Sequence, residues 1–238
     1  MTFRKILLLV LCLSLVTNVA VAKVIDGVLY EIPKTTVVPV IDGKSDAVWK
    51  TLDWNFQTSY VNGTLVPDGW YDLFGASKMM WDDDNLYALF YAQDDAIVDV
   101  HANSWERDAV EFYSDADNSK GTTAFDGVND QHINFRHEFI GNEAANVANM
   151  GWITGTNTDG VEFVILDDST DMVGFWLEFK IPLNALAIPA VAGTEIGIEW
   201  QQNDNDGTSR ESISKWWLQE GDNSWLYPSR SFHKYNCN

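Results

Sequence analysis

Apolar residues recur along most of the chain in short runs, and clusters of Gly, Asp and Asn separate one run from the next. Val, Ile, Phe, Tyr and Trp dominate these runs, which is the composition of β-strands. The predicted strands are Asn85–Gln93, Ala109–Ser114, Gln131–Phe139, Val161–Leu166, Val173–Ile181 and Glu195–Gln202. Many short strands at fairly even spacing predict an all-β fold, an antiparallel β-sandwich of jelly-roll or immunoglobulin-like type.

The pattern within the runs indicates which faces are covered. Several runs are apolar on both faces, as central strands are, whereas the run that contains Ile133 and Phe135 also carries charged residues and is predicted to have one solvated face. Helix signals are few: a turn at Ile41–Gly43 leads into one short helix over Ser45–Trp49, and Leu183–Ala187 follows Pro182 as a helical turn. Because no linker, repeat or low-complexity tract interrupts the pattern, we expect one domain.

The N-terminus has the pattern of a secretory signal peptide. Arg4 and Lys5 precede an apolar run, and small residues follow at the spacing of a cleavage site near Ala22. We therefore predict a signal peptide over residues 1–22 and a domain over 23–238, secreted to the periplasm or the extracellular space. Cys12 would leave with the signal, so Cys237 would have no internal disulfide partner.

Charge narrows the classes of partner. The chain has a formal net charge of −20, which becomes −22 when the two basic residues of the predicted signal are removed. Such a protein is repelled by nucleic acid and by anionic lipid, so neutral sugars or cations are better partners. Much of the acidity lies in short clusters that are typical of solvated turns, although one or two of them could bind calcium through oxygen ligands. These clusters are Asp82–Asp84, Asp94–Asp95, Asp115–Asp117, Asp167–Asp168 and Asp204–Asp206.

Eleven tryptophans are more than a core of this size needs. Trp81, Trp176 and Trp200 lie within or beside strand patterns and are predicted to fill the sandwich. Trp105 and Trp225 instead lie among polar turn residues, where burial is least favoured. An exposed indole offers a flat apolar face to the C–H face of a pyranose, so each of the two is either a ligand-binding or a structural residue.

Polar residues within the strands supply possible partners for sugar hydroxyls. Glu111 interrupts the apolar run around it, and Gln201 lies near the end of another strand. A carboxylate and a carboxamide can each bridge two hydroxyls. The alternative is that Glu111 simply points outward from an edge strand.

Catalytic signatures are weak. The sequence contains no HExxH, no GxSxG and no glycine-rich phosphate loop, and its histidines have no zinc spacing. His132 and His137 are five residues apart on one predicted strand, so they should face opposite sides. Acidic pairs are too numerous to single out a glycosidase dyad. We therefore expect a binding protein rather than an enzyme.

Seven motifs in order give the chain a resemblance to the family 9 carbohydrate-binding modules, the sugar-binding domains associated with secreted xylanases. The match covers roughly residues 35–236. The motifs are IDGKSDAVW (41–49), MWDDDNLYALFYAQDD (80–95), SWERDAVEFYSDADNSK (104–120), the strand that begins DQ at 130, IPLNAL (181–186), GTEIGIEWQQNDND (193–206) and DNSWLYPS (222–229).

The resemblance implies a β-sandwich with a structural calcium ion that binds glucose-, cellobiose- or xylose-type ligands. By position, Trp105 and Trp225 match the family's pair of sugar-stacking tryptophans. The family's hydroxyl-binding groups are matched by Glu111, Gln201 and the corner at Asp222 and Asn223.

One departure concerns the strand that begins DQ. The family carries an arginine two residues after the glutamine, where this chain has Ile133. Arg136 is three residues further along, on the opposite face of a strand, so it is a poor substitute. Selectivity for the reducing end of a glucan is thereby in question.

We expect a secreted, monomeric, non-catalytic module that binds oligo- or polysaccharides of the cellobiose, glucan or xylan type during polysaccharide breakdown. Two alternatives stay open. Related sandwiches bind haem in electron-transfer proteins, and Met79, Met80 and the histidines are candidate axial ligands. The domain could also be a structural or surface domain that keeps the sandwich without a sugar site.

Overall fold

The structure is a computed structural model that describes residues 30–57, 59–61, 69, 71–119, 128–140, 151–154, 159–168, 173–216 and 233–237. The predicted signal peptide lies outside these ranges, as do two predicted site residues, Asn223 and Trp225, and their neighbour Asp222.

Strands dominate the described ranges, where helical residues are confined to three 3-10 turns, Trp49–Thr51, Ser104–Glu106 and His137–Phe139. No helix among the described residues is long and apolar enough to cross a membrane. The strands are β1 (Tyr30–Ile32), β2 (Asn55–Phe56), β3 (Ser59–Val61), β4 (Leu73–Trp81), β5 (Asn85–Asp94), β6 (Ala109–Asp115), β7 (Asp130–Arg136), β8 (Gly151–Thr154), β9 (Glu162–Asp167), β10 (Gly174–Pro182), β11 (Thr194–Asp204), β12 (Ser212–Lys215) and β13 (His233–Cys237).

The strands form two sheets, which confirms the predicted all-β sandwich. Sheet A has eight strands in the order β1-β13-β11-β6-β7-β8, with β12 paired to β11 and β3 paired to β12. Sheet B has five strands in the order β2-β4-β5-β10-β9. The strand pairs are antiparallel except β1 and β13, which run parallel.

Side chains from both sheets meet in one aromatic core. Trp200 of β11 lies at its centre, with ring centroids of Phe90, Phe112 and Phe179 at 5.2, 4.9 and 5.8 Å. The alternation of strands places the inward-facing apolar residues of β6, β7 and β11 in this core and the residues between them on the outer face. The residues on the outer face are therefore the ones that can contribute to a site on the surface of sheet A.

The tryptophan predictions are partly confirmed. Trp81 and Trp200 are fully buried in the core. Trp176 was predicted to be there as well, but it points outward from sheet B, where it is half-buried and packs against Trp54 and Tyr91. The reason is its place in β10: its neighbours Phe175 and Leu177 face the core, so Trp176 faces away.

The outer face of sheet B is covered by the segment 41–54. Trp49 packs on Met80, Tyr87 and Leu89 in a second apolar cluster. The fully buried Glu178 fastens the segment, because its carboxylate accepts bonds from the Trp49 indole at 2.7 Å and from the backbone N–H groups of residues 42 and 43 at 2.9 Å each. The IDGKSDAVW motif is therefore a lid over the part of this sheet that β4 and β5 form.

Some element boundaries differ from the prediction. The strand predicted to reach Phe139 ends at Arg136, and the next three residues form a 3-10 turn. β4 was not predicted, because Gly75, Ser77 and Lys78 break its apolar pattern. The predicted helical turn at Leu183–Ala187 is present as successive i to i+3 hydrogen bonds, such as that from the Ala185 N–H to the Pro182 carbonyl.

Candidate functional site

The outer face of sheet A carries a band of polar side chains across four adjacent strands. Glu111 of β6 lies between Asn134 of β7 and Gln201 of β11, and Gln201 pairs in turn with Lys215 of β12. All four side chains are at least 95% buried. Burial of so many polar groups on the side away from the core requires a dense hydrogen-bond network.

Glu111 is the centre of that network. Its Oε1 accepts from the amide nitrogens of Asn203 at 2.7 Å and Asn134 at 3.2 Å. Its Oε2 accepts from the Tyr113 hydroxyl and from His132 Nε2, the latter at 2.6 Å. Four donors occupy the acceptor capacity of a carboxylate, so a ligand hydroxyl that reaches Glu111 has to displace one of them.

The same contacts keep Glu111 ionised. Burial alone would raise the pKa of this carboxyl group, but His132 foremost, together with the other donors, lowers it to about 2. The carboxylate is therefore a fixed negative centre around which neutral amides and aromatic groups are oriented.

Aromatic and amide groups extend the band on both sides of Glu111. The Tyr113 and His132 rings are stacked with centroids 4.0 Å apart, and the Tyr113 hydroxyl lies 3.3 Å from Gln201 Oε1. Gln201 donates to Asn203 Oδ1 at 2.7 Å. The Oδ1 atom of Asn134 is buried without a hydrogen-bond partner among the described residues. A buried unsatisfied acceptor of this kind is suited to a ligand hydroxyl.

Trp105 lies at the border of this band. It occupies the 3-10 turn Ser104–Glu106 in the connection 95–108, which we call the Trp105 loop, and its side chain is 54% exposed. The adjacent Glu106 accepts from the Arg210 backbone N–H at 2.7 Å, and the Arg210 guanidinium lies 3.3 Å from Asn203 Oδ1. A chain of contacts therefore runs from beside Trp105 to Glu111.

Among the predicted site residues, the structure brings Glu111 and Gln201 side by side and connects them to the neighbourhood of Trp105. Asn223 and Trp225 lie outside the described residues. Three members of the band, His132, Asn134 and Asn203, were not among the predicted site residues. The signal that could have identified His132 and Asn134 is the alternation of side chains along a strand, because both alternate with the core residues Ile133 and Phe135. Asn203 lies one residue beyond the predicted end of its strand.

Two sequence-based interpretations of this region were wrong. Glu111 does point away from the core, but β6 is an interior strand between β11 and β7, not an edge strand. β7 was predicted to have a solvated face, yet His132 and Asn134 on that face are buried. The polar residues of β7 were interpreted as a sign of solvent exposure, but polar side chains can also be buried when they are hydrogen-bonded to one another.

The position of the expected arginine also has to be revised. Ile133 is fully buried in the core, so an arginine there could not reach a ligand on the outer face. The outer-face positions of β7 are His132, Asn134 and Arg136. Arg136 therefore does lie on the side of the band, but its guanidinium is paired with Glu138 and placed over the Phe139 ring at 4.5 Å.

A cluster of carboxylates lies where β5 and β11 end. Three overlapping groups have ligand oxygens within 4.8 Å of one another: Asp72 with Asp204 and Glu211, Asp72 with Asp95 and Asp206, and Asp94 with Asp204 and Asp206. Both carboxylate oxygens of Asp204 and one of Asp94 are buried without a hydrogen-bond partner among the described residues. Buried, unpaired oxygens in one place fit a hard cation such as calcium, which takes six to eight oxygen ligands.

The electrostatics of the cluster agree with that fit. Burial, followed by the repulsion between neighbouring carboxylates, raises the pKa of Asp94 to about 7, that of Asp204 to about 9 and that of Asp206 to about 6. Two of the predicted acidic clusters, 94–95 and 204–206, therefore meet here. The cluster at 82–84 instead forms a turn, in which Asp82 accepts from the N–H groups of Asp84 and Asn85.

The candidate haem ligands have other roles in the described structure. Met79 is packed in the core and Met80 in the apolar cluster on the opposite face of the same strand. His132 and His137 are each bonded to carboxylates, on separate parts of the molecule, and they do not share a site. These contacts do not favour the haem alternative.

Comparison with known proteins agrees with the resemblance. A curated relative, the exoglucanase XynX of Acetivibrio thermocellus, is 29% identical over 188 residues, which are 79% of this chain and 15% of that protein. Two solved structures of a family 9 module from Caldicellulosiruptor kristjanssonii share the fold. The one in complex with cellotriose has a TM-score of 0.70 at 21% identity and covers 89% of this chain and 94% of that one. The one in complex with glucose has a TM-score of 0.69 at 22% identity and covers 87% and 95%.

The matched region thus spans about 15% of the length of the curated relative. The chain covers 94% of the solved module. Residues 41–231 match the family described as "Carbohydrate family 9 binding domain-like", which is most of the sequence. The prediction of a binding module rather than an enzyme is confirmed at the level of the family. This chain belongs to the carbohydrate family 9 binding domain-like family.

Proposed function

We propose that this protein is a non-catalytic module that binds neutral oligo- or polysaccharides of the glucan or xylan type. The observation that carries the proposal is the buried polar band on the outer face of sheet A, bordered by a tryptophan that is 54% exposed. A flat indole beside oriented amides and a carboxylate is the combination that recognises a sugar ring and its hydroxyls. The cellotriose complex of a related fold supports the ligand class.

In this proposal Trp105 and Trp225 stack on the sugar, and Glu111, Gln201 and Asn223 bind its hydroxyls. Because Glu111 already holds four donors, its main contribution is to orient Asn134 and Asn203. Neutral amides suit an uncharged ligand, since each amide can donate to one hydroxyl and accept from another.

We further propose calcium as a structural ion at the carboxylate cluster. Asp72, Asp204 and Glu211 supply the most buried group of ligands, and Asp94, Asp95 and Asp206 lie within reach of the same place. A divalent cation would neutralise carboxylates that otherwise repel one another at 0% exposure, as Asp94 and Asp204 do. Its binding would tie the end of β5 to the end of β11.

The setting that we propose is extracellular. A leader over residues 1–22 would deliver the protein outside the cytoplasm as a monomer, and the exoglucanase relative supports a role beside glycoside hydrolases. Any such enzyme partner belongs to the proposal, because the matched region is a small part of that relative.

The test is calorimetric titration with cellobiose, cellotriose and xylotriose, together with pull-down on insoluble cellulose and xylan. Trp105→Ala and Trp225→Ala are each expected to lower affinity about 30- to 900-fold, since removal of a stacked aromatic costs about 2–4 kcal/mol. Phe56→Ala is the matched control for Trp105, because its side chain is 50% exposed on the opposite sheet and should leave affinity unchanged. Equal affinity of Trp105→Ala and the unmodified protein would contradict the proposed site.

Calcium is tested separately by thermal unfolding with and without a chelator. A bound ion stabilises the folded state by mass action, so chelation should lower Tm by several degrees and added calcium should restore it. Asp204→Asn should remove this response while the sugar site stays folded. An unchanged Tm in chelator would count against the ion without affecting the sugar proposal.

A further inference from the structure

His137 is held between two carboxylates that belong to different parts of the fold. Its Nδ1 lies 2.9 and 3.0 Å from the two carboxylate oxygens of Asp99, and its Nε2 lies 2.7 Å from Asp167 Oδ1. The ring is buried and meets the edge of Phe175 at a centroid distance of 5.0 Å. Both nitrogens therefore act as donors, which only the imidazolium form allows.

Other charges around His137 favour the same form. Burial would lower the pKa of this imidazole, but its bonds to Asp99 and Asp167 raise it above the ordinary value. The charge on His137 in turn lowers the pKa of the Asp94 carboxyl group of β5, against the larger effect of burial. The neighbouring Glu138 is paired with Arg107 and Arg136 and does not take part in the bridge.

The two carboxylates differ in what they are attached to. Asp167 ends β9 in sheet B, away from the polar band. Asp99 belongs to the Trp105 loop, before Trp105. The limb of the loop after Trp105 is fixed to the β11–β12 turn through Glu106, whose carbonyl accepts from Asn205 and whose carboxylate accepts from Arg210.

We propose that His137, through Asp99, is a positioning residue for Trp105. The pair fastens the limb before Trp105 to the turn after β7, and the Glu106 contacts fasten the limb after it, so the indole is held at the border of the polar band from both sides. The role rests on the proposed sugar-binding function of Trp105, but the tether itself does not require a ligand.

The first experiment compares Asp99→Ala with Asp167→Ala, which is a matched control because each removes one carboxylate from the same ring. Cellobiose and cellotriose affinities are measured by calorimetry at pH 6 with saturating calcium, and backbone hydrogen exchange is followed over residues 96–107. Asp99→Ala should lower affinity about fivefold and speed exchange in this segment, since it removes a charge-assisted contact. Asp167→Ala should leave affinity within about twofold.

The second experiment is a pH profile. As pH rises through the raised pKa of His137, its ring loses one donor, and the contact that remains is no longer charge-assisted. Sugar affinity of the unmodified protein should therefore fall over the pH range in which NMR shows the His137 ring titrating. The profile of His137→Gln should be flat over that range, because glutamine does not titrate.

Two results would overturn the inference: an affinity of Asp99→Ala equal to that of the unmodified protein, or an equal loss in Asp99→Ala and Asp167→Ala, which would indicate a general structural role. Failure of the proposed function looks different. If the unmodified protein binds none of the sugars, hydrogen exchange over residues 96–107 still tests whether the contact between His137 and Asp99 holds the loop. Faster exchange in Asp99→Ala but not in Asp167→Ala supports this tether.

Discussion

The outer faces of the two sheets both contain a buried glutamate, and the two are held in opposite ways. Glu178 on sheet B is bonded by two backbone N–H groups and an indole of the segment that covers it. Glu111 on sheet A is bonded by side chains of three neighbouring strands, from Tyr113, His132, Asn134 and Asn203. Side-chain donors can turn toward a ligand, whereas the backbone of a packed segment cannot.

The kind of donor and the remaining hydrogen-bonding capacity distinguish a buried structural carboxylate from a buried carboxylate in a candidate site. The donors to Glu178 all belong to the lid, whose Trp49 packs on Met80, so the contact is complete without a ligand. The band around Glu111 ends at an exposed tryptophan and includes an amide oxygen with no partner among the described residues. Only the second arrangement has capacity left for another molecule.

The largest expected effect comes from the same conservative change at both glutamates. Glu111→Gln should reduce cellobiose affinity about 100-fold or more, because the amide repels at least one of the four donors and the band rearranges. Glu178→Gln should leave affinity within about twofold but lower the free energy of unfolding by about 2 kcal/mol. Calorimetry measures the affinity and urea unfolding measures the stability. Loss of sugar binding in Glu178→Gln would show that both glutamates support the sugar site.

The pH dependence of stability should also have opposite signs at the two sites. The pKa of Glu111 is lowered to about 2, so its contribution is present above the unfolded pKa of about 4.5 and is lost as pH falls toward 2. Burial raises the pKa of Glu178 to about 7, so its contribution is present below about 4.5 and is lost as pH rises to 7. Each amounts to up to about 3 kcal/mol.

Urea unfolding from pH 2.5 to 7.5 measures these slopes against the glutamine variants. The stability of the unmodified protein relative to Glu111→Gln should decline toward acid, and its stability relative to Glu178→Gln should decline toward neutral pH. Slopes of the same sign would show that the two carboxylates are not held in the different ways described above.

A smaller effect is expected at Gly43, where the lid packs closely on β9. Its φ is +75°, and an added Cβ would lie 2.8 Å from the Cβ of Leu166. Gly43→Ala should therefore lower the free energy of unfolding by about 2 kcal/mol, from backbone strain and from the clash, while sugar affinity stays unchanged. Lys44→Ala, one residue further along in an exposed position, is the control and should change stability by less than about 0.5 kcal/mol.

The fold was largely predictable because strand composition and turn residues are local properties. All six predicted strands are present, and β6 matches its prediction to within one residue. β4 escaped because Lys78 interrupts it. In the structure this lysine is 5% exposed, donates to the Trp49 carbonyl at 2.8 Å and lies over the Trp54 ring, a set of long-range contacts that no local pattern shows.

The candidate site was less predictable, because it depends on register between strands that are far apart in sequence. Glu111 and Gln201 could be singled out as polar interruptions of apolar runs, but only pairing across β6 and β11 makes them neighbours. Asn203 was overlooked at the end of its strand, and Ile133 was assigned to a binding position because a linear motif does not state which face a residue occupies. The alternation of side chains along β7, together with the pairing of β7 with β6, would have identified His132 and Asn134.

The parallel pairing of β1 with β13 has a mechanical consequence. Tyr30, Glu31 and Ile32 pair in order with Tyr235, Asn236 and Cys237, so a pull on the chain before β1 and after β13 drives the two strands past each other along their length. In this shear geometry the hydrogen bonds between them bear load together, whereas an antiparallel pair pulled at one end opens bond by bond. A force applied through the chain would therefore meet its first resistance at this edge of sheet A, which single-molecule extension would register as a high initial unfolding force.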